Sequence, residues 1–365
     1  MADFQFIVSR FITDKDFLHA LPYGEGHIND TYSVCLQDDE GVITRIILQR
    51  INHYVFKDPV GLMNNIVGVT TFLKEKIAAE GGDPERETLT VIPTTTGEYF
   101  YKDGEGNYWR VYKFIENALT YQSCRNAEDF YNCGISFGKF QQMLSDYDTT
   151  KLVETIPDFH NTVKRFEALK QAINEDKAGR AGLVQEEIRF ALEREKDAGA
   201  LVELLESGKM PYRVTHNDTK LNNILIDKKT GKGICVIDLD TVMPGAACYD
   251  FGDSIRFGAS TAAEDETDLS KVSMSLELFE VFAKGYLSVA REFLTPVEFE
   301  SLAIGAKIMT FECGIRFLTD YLNGDVYFKI HREHHNLDRC RTQFKLVQDM
   351  EQKMGLMQEI VKKYR

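Results

Sequence analysis

The chain has no long apolar run. Nothing in it approaches the ~20 consecutive apolar residues that a membrane-spanning helix needs, so no membrane is expected as partner. It also has no excess of basic charge. Lys and Arg total 43 against 57 Asp and Glu, a formal net charge of −14. That balance opposes a nucleic-acid backbone or an anionic lipid surface as main partner. It leaves nucleotides open, because a local glycine-rich loop and a metal can neutralise phosphates on an acidic protein. There is no C-x-x-C. The seven cysteines (35, 124, 133, 235, 248, 313 and 340) are odd in number, and several sit in apolar runs such as Ile234-Cys235-Val236. They are expected to be reduced core thiols of a cytoplasmic protein rather than zinc ligands or a disulfide framework. Met1-Ala2-Asp3-Phe4-Gln5-Phe6 lacks the basic stretch and apolar core of a secretory leader, so none is expected. No internal repeat, low-complexity block or heptad run is present, and a monomer is expected.

The 365 residues are too many for one small core and suit two lobes. The first hundred or so read as strands around one helix. Residues 4 to about 20 read as a short amphipathic helix. Leu21-Pro22-Tyr23-Gly24-Glu25-Gly26-His27-Ile28-Asn29 reads as a glycine-bearing turn into a strand, with the next strand at Arg45 to Arg50. Asp58-Pro59 supplies an N-cap and a first-turn proline. Val60, Met63, Ile66, Val67, Thr70, Leu73 and Ile77 give the stripe of a helix that Gly81-Gly82 ends. Thr94 to Lys102 and Tyr108 to Phe114 read as a hairpin across Asp103-Gly104-Glu105-Gly106-Asn107. Beyond about residue 116 the pattern turns helical. Phe130, Gly134, Phe137, Phe140 and Leu144 space a buried helix. Residues 158–207 read as a charged, solvated helical stretch, 275–291 and 296–322 as two more helices, and Glu351 to Tyr364 as an amphipathic tail helix. The expected fold class is α+β, with a 1–115 N-terminal nucleotide-binding lobe (an antiparallel sheet with one helix) and a larger, mainly helical 116–365 C-terminal lobe.

The strongest chemical signal is Thr215-His216-Asn217-Asp218-Thr219-Lys220-Leu221-Asn222-Asn223, followed by Val236-Ile237-Asp238-Leu239-Asp240. It reads as H-x-D-x4-N, a hairpin, then an Asp at the end of the returning strand. Phosphoryl transfer needs an acidic group at the accepting hydroxyl and oxygen ligands on magnesium. Asp218 suits the first role, Asn223 and Asp238 the second. A tight turn centred on Thr230-Gly231 would make Asn223 and Asp238 face each other at the open end of the hairpin. A hard cation that keeps several waters needs only one or two such protein oxygens.

These runs resemble the aminoglycoside-phosphotransferase-like kinases, bilobal cousins of the protein kinases. More closely, Pro22 to Asn29, Arg213 to Leu225, Ile237 to Pro244, Asp250 to Thr261 and Glu312 to Leu322 are similar to the N-acetylhexosamine 1-kinases. The resemblance covers nearly the whole chain. It implies ATP-dependent phosphorylation of the anomeric hydroxyl of N-acetylglucosamine or N-acetylgalactosamine. It further implies Asp218 as catalytic base, magnesium on Asn223 and Asp238, Gly24 and Gly26 over the phosphates, and the backbone of Lys113, Phe114 and Ile115 at adenine. His27, Phe257, Arg316 and Tyr321 fall in the implied sugar pocket. The residues by themselves reach only a small-molecule phosphotransferase. Choline, homoserine, a thio-sugar or an aminoglycoside stay open as acceptors, and so does a nucleotide-binding pseudokinase.

The pattern departs from protein kinases in two places. Where they carry a strand lysine on the ATP phosphates, Ile46-Ile47-Leu48-Gln49-Arg50 presents Gln49. Arg50 should point to the opposite face, and Lys220 is the candidate replacement. Asp250-Phe251-Gly252 spells the protein-kinase metal motif, but Asp238 already holds the hairpin position, so Asp250 is expected to cap the following helix. His216 reads as structural. His331, His334 and His335 read as a surface cluster, Arg316 and Asp320 as an i,i+4 pair or a sugar contact, and Glu264-Asp265-Glu266-Thr267-Asp268 as a solvated acidic loop.

Overall fold

The computed structural model describes residues 3–24, 28–122 and 124–365. Its backbone divides into two units: Met1–Leu119 with Thr150–Pro157 and Leu225–Met243, and Thr120–Thr149 with Asp158–Ile224 and Pro244–Arg365.

In the first unit, α1 (Phe4–Val8) is only one turn and a half, capped by the Asp3 carboxylate on Phe6 N–H. The expected helix over 4–20 stops there, because Asp16–Pro22 forms strand β1 and pairs antiparallel with β2 (Asp30–Gln37). Sheet pairing outweighs helical periodicity in so short a segment. β2 pairs with β3 (Ile43–Ile51). Helix α2 (Pro59–Ala79) follows, with Asp58 accepting from Gly61 N–H at 2.9 Å and Gly81 leaving it at φ +79°. Its expected stripe is buried except Val60, which is exposed, and Val67, which is half-buried. The short strands β4 (Val91–Ile92) and β5 (Tyr101–Lys102) both pair with β6 (Tyr108–Lys113). β6 pairs with β3, so the path is β1-β2-β3-β6-β4. Ile7, Val34, Leu36, Leu48, Trp109 and Val111 close the core under α1.

The first unit also takes the hairpin. β7 (Ala118–Leu119) pairs with one leg of it at Asp227 and Ile226, which carries the division past the expected 115/116 boundary.

In the second unit, α3 (Ala127–Met143) buries Phe130, Phe137 and Phe140 as the spacing predicts. Gly134 lets it lie directly on a later helix, since a Cβ there would stand 2.6 Å from the Phe282 carbonyl. α4 (Thr162–Glu175), α5 (Gln185–Leu192) and α6 (Val202–Glu206) fill the charged stretch. β8 (Arg213–Thr215) leads into the 216–223 loop of this unit, after which the chain passes into the first unit's hairpin, β9 (Ile224–Asp227) and β10 (Gly233–Val236). Helices α7 (Ala247–Gly258), α8 (Leu276–Ala290), α9 (Pro296–Asn323) and α10 (His335–Lys363) complete the chain. α10 begins sixteen residues before the tail helix expected from Glu351. Its N-terminal half carries Leu337, Cys340, Phe344 and Val347 into the core against Phe311, Ile315 and Leu318 of α9.

The hairpin register differs from expectation. Asp227 N–H donates to Lys232 C=O at 2.9 Å and Gly231 N–H to Asp227 C=O at 2.8 Å. The connection is therefore a four-residue loop with Gly231 at φ +70°, not a two-residue turn. The ladder shifts by two, and Asn223 and Asp238 are not a facing pair. Asp227 sets this loop by accepting from Lys229 and Thr230 N–H and from Arg86.

Candidate active site

The 216–223 loop is held from behind by two carboxylates of α7. Asp250 accepts from His216 N–H at 2.9 Å, Asn217 N–H at 2.8 Å and the Gln141 amide at 2.7 Å. Asp253 accepts from Thr219 N–H at 3.0 Å, and the Thr219 hydroxyl donates to Asp250 C=O at 2.6 Å. Asp250 therefore lies within the first turn of α7 and does not cap it; the N-cap position is Ala246. The Asp-Phe-Gly spelling is a packing feature. Phe251 is buried, and a Cβ on Gly252 would stand 2.5 Å from the Gly305 carbonyl of α9. Sequence reasoning missed the loop-holding role of Asp250 and Asp253, although their i,i+3 spacing on a helix was visible.

His216 is wholly buried, with the edges of Phe137 and Phe140 at 5.7 and 6.0 Å between ring centres. Asp218 projects from the loop, its Oδ1 2.7 Å from Lys220 Nζ. Burial alone would push the Asp218 carboxyl up, but Lys220, His216 and an Asn223 hydrogen bond hold it below the usual range. Lys220 is raised by Asp218, against its own burial. Both groups are thus ionised at neutral pH. Asn223 Nδ2 donates to the Asp218 carbonyl at 2.8 Å and to its Oδ2 at 3.0 Å. Those bonds commit the amide nitrogen and leave the Asn223 Oδ1 as the group to meet a cation.

Within the first unit, Asp238 sits in the left-handed region at φ 59°, ψ 56°, just ahead of the 3₁₀ turn Leu239–Thr241. Its neighbour Asp240 is gripped by three donors. Asp240 Oδ1 and Oδ2 accept from Arg110 at 2.5 and 2.9 Å, and Oδ2 also accepts from Asn29 at 2.5 Å. Three of the roughly four lone-pair positions of the Asp240 carboxylate are thus taken. The Asn223 amide oxygen and the Asp238 carboxylate are each hard donors of the kind magnesium takes. Gln49, expected from the sequence to stand where protein kinases carry a strand lysine, is bonded to Thr31 Oγ1 and to Arg110 Nε, each at 2.9 Å.

Gly24 is exposed at φ +79°; Gly26 and His27 lie outside the described residues. Lys113 N–H donates to Thr90 C=O, and its ammonium pairs with Glu85 at 2.8 Å. Phe114 lies under Arg45, 3.9 Å from guanidinium carbon to ring centre, with Tyr23 at its edge. The Ile115 side chain is buried, and its backbone groups have no hydrogen-bond partner among the described residues.

The expected sugar residues separate. Phe257 borders a cavity of about 420 Å³ beside the loop residues Thr219 and Leu221. Arg316 lies elsewhere in the second unit, its guanidinium between the rings of Phe159 and Phe328 at 5.1 and 5.5 Å. It makes no hydrogen bond or ion pair among the described residues, so the i,i+4 pair with Asp320 is absent. Asp320 instead accepts from the N–H groups of Val326, Tyr327 and Phe328. Phe159 precedes His160, whose Nδ1 is 2.7 Å from Glu312 Oε1 and whose Nε2 faces the Asn217 carbonyl at 3.4 Å. Tyr321 is wholly buried with its hydroxyl 2.9 Å from His334 Nδ1, so it cannot touch a ligand. The exposed aromatic in this region is Tyr327, which sequence reasoning passed over and which only the Asp320-anchored loop reveals. His335 is buried against Asp265 at 3.0 Å rather than part of a surface cluster. Among the described residues no group of three or more His, Cys, Asp or Glu is arranged to hold a metal alone.

A family model described as "Phosphotransferase enzyme family" matches residues 21–275. The chain belongs to that family. Its fold is similar to a microcompartment-associated aminopropanol kinase (16% identity, 96% of this chain and 98% of that one, TM-score 0.59). It is also similar to an aminoglycoside phosphotransferase from Alicyclobacillus acidocaldarius (12% identity, 98% and 96%, TM-score 0.60) and to a choline kinase from Cryptosporidium parvum (16%, 94% and 91%, TM-score 0.54). At these identities the likeness is one of fold, and the fold is kinase-like α+β. No helix among the described residues is long and apolar enough to cross a membrane.

Proposed function

We propose that this phosphotransferase uses ATP to phosphorylate the anomeric hydroxyl of an N-acetylhexosamine. The observation that carries the kinase reading is the Asp218–Asn223 arrangement. An ionised carboxylate is held on a rigid loop, with an amide whose oxygen is left for a cation. In this reading Asp218 orients the acceptor hydroxyl and takes its proton as the oxygen attacks the γ-phosphorus. Lys220 keeps that carboxylate ionised and adds positive charge next to it. Asn223 Oδ1 and Asp238 would hold magnesium, which when bound neutralises developing phosphate charge. Gly24 and Gly26 approach the phosphates, and the Lys113–Ile115 backbone, with its unpaired Ile115 groups, takes adenine. Most of the acceleration is positioning and charge neutralisation.

The sugar is supported by the resemblance of Pro22 to Asn29 and Glu312 to Leu322 to the N-acetylhexosamine 1-kinases, and by charge. Arg316 stands between aromatic rings and makes no salt bridge among the described residues, though its charge helps lower the Glu312 carboxyl. Arg165 is close enough that Arg316, after burial, lowers its pKa. Glu312 and Asp158 offset part of this charge, but two guanidiniums still donate well to the oxygens of a neutral acetamido sugar. That favours the sugar over choline or an aminoglycoside. The test is incubation with ATP and a panel of acceptors, with products read by phosphorus NMR, alongside Asp218→Asn. A phosphomonoester at the anomeric carbon, lost by several orders of magnitude in a folded Asp218→Asn variant, is the expected result. A product only at a primary hydroxyl, or near-wild-type turnover in the variant, overturns it.

A further inference from the structure

Arg110 is a charged residue on the interior strand β6, and it is 1% exposed. A buried charge is costly unless geometry and hydrogen bonding compensate for it. Here they do. Arg110 is the register partner of Gln49 across β3–β6, and its Nε donates to Gln49 Oε1. Its two Nη groups grip Asp240 in a fork, and Met63 Sδ lies 3.9 Å from Nη1. Burial works against the cation, yet the charges of Asp240 and, further off, Asp238 raise its pKa.

The Asp240 backbone is fixed too. Its carbonyl accepts from the Thr155 hydroxyl at 2.8 Å, and Asn65 Nδ2 donates to Val242 C=O at 3.0 Å. Asn29, the third donor to the carboxylate, is itself held by Asn52 N–H on its Oδ1 at 2.9 Å. The turn Leu239–Thr241 is therefore clamped at side chain and backbone. Asp238, in a left-handed conformation that a non-glycine residue adopts only at some cost, is the residue entering that clamp.

We propose that Arg110 is a positioning residue. Through its fork on Asp240 it fixes the turn that presents Asp238 to the divalent cation. The strand that carries a phosphate-contacting lysine in protein kinases here carries neutral Gln49. The cation has moved one strand over, where it acts on the metal-binding turn instead of on phosphate. This inference rests on the reading of Asp238 as a metal ligand given above.

The test is the affinity of the full-length chain for ADP with Mg²⁺ and with EDTA, by calorimetry, for wild type and the variants Asp238→Asn, Arg110→Lys, Arg110→Ala and Asn29→Ala. The ratio of the two affinities measures the coupling between metal and nucleotide. Asp238→Asn is expected to bring the ratio to about one. If that variant keeps the wild-type ratio, the metal reading itself falls, independently of Arg110. Arg110→Lys keeps the charge but lacks the planar fork and the Nε donor. It is expected to lose at least tenfold of the coupling while its EDTA affinity stays within about twofold of wild type. Asn29→Ala, which removes one donor to Asp240, is expected to lose less, and it keeps the test open if Arg110→Ala does not fold. A folded Arg110→Lys with the wild-type ratio overturns the proposal, whatever its melting temperature. Equal losses with and without Mg²⁺ also overturn it, because they mean general distortion.

Discussion

Asp250 is where spelling and structure disagree most, and one substitution separates them. As a kinase-type metal ligand it would leave stability untouched when amidated and would remove the metal dependence of nucleotide binding. As the anchor of the 216–223 loop it does the reverse. Asp250→Ala strands the buried N–H groups of His216 and Asn217. Each orphaned donor costs about 1–3 kcal/mol, so the loss is about 2–6 kcal/mol. That is a large part of the ~5–15 kcal/mol that holds a typical domain. Asp250→Asn is the more informative variant. It keeps the volume and one acceptor oxygen, but places an NH₂ against one of the three donors, costing about 1–3 kcal/mol. With urea slopes of about 1–3 kcal/mol per molar, the midpoint should fall by roughly 1 M. Burial already pushes the Asp250 carboxyl up from its ordinary range, opposed by His216, so neutralisation gives back part of the desolvation cost and the lower end is expected. The assay is urea unfolding followed by fluorescence, with ADP affinity measured in Mg²⁺ and in EDTA on the same preparations. An unchanged midpoint together with a lost Mg²⁺ effect would refute the loop-anchor argument and return Asp250 to the metal.

Two further outcomes follow from the same geometry. Lys220 is a main force holding the Asp218 carboxyl below its ordinary pKa, so Lys220→Met leaves burial less opposed and raises it. The acid limb of kcat/KM should then move to higher pH, whatever happens to the plateau; an unmoved limb means that Asp218 is not the titrating base. Tyr321→Phe removes only the bond to His334 and should cost about 0.5–1.5 kcal/mol with acceptor KM unchanged, whereas Tyr327→Ala should raise acceptor KM with little loss of stability; the opposite pattern would return Tyr321 to the ligand.

Local signals in the sequence were readable because their physics is local. Asp58 before Pro59 and Gly81 at positive φ mark the ends of α2 through groups a few residues apart. The Phe130–Phe137–Phe140 spacing marks a helix face for the same reason. The Asp218–Asn223 pair sits within one turn of loop, so its hydrogen bonds follow from short-range geometry. What failed was decided at longer range. The 4–20 segment has helical spacing, but β2 recruits half of it. The hairpin register turned on Asp227, which gathers two loop N–H groups and Arg86 and so favours a four-residue loop. Tyr321 and Tyr327 differ in role because Asp320 folds the intervening backbone over itself.

Arg110 carries a long-range partner that its own strand already calls for. Trp109-Arg110-Val111-Tyr112 belongs to a strand with neighbours on both sides, and three of the four are apolar or aromatic and buried. A guanidinium in that setting must have an acidic partner somewhere in the chain. The only question is which, and Asp240 answers it from far along the sequence. The missing lysine at Gln49 and the unexplained second acid of Asp238-Leu239-Asp240 are then one fact. A neutral amide at Gln49 can accept from the guanidinium where a lysine would repel it, and the second acid exists to be gripped. The charge on this part of the sheet sits on β6 beside neutral Gln49 of β3, as an interior ion pair, which contributes little net stability when both partners are removed together and destabilises strongly when one is removed alone.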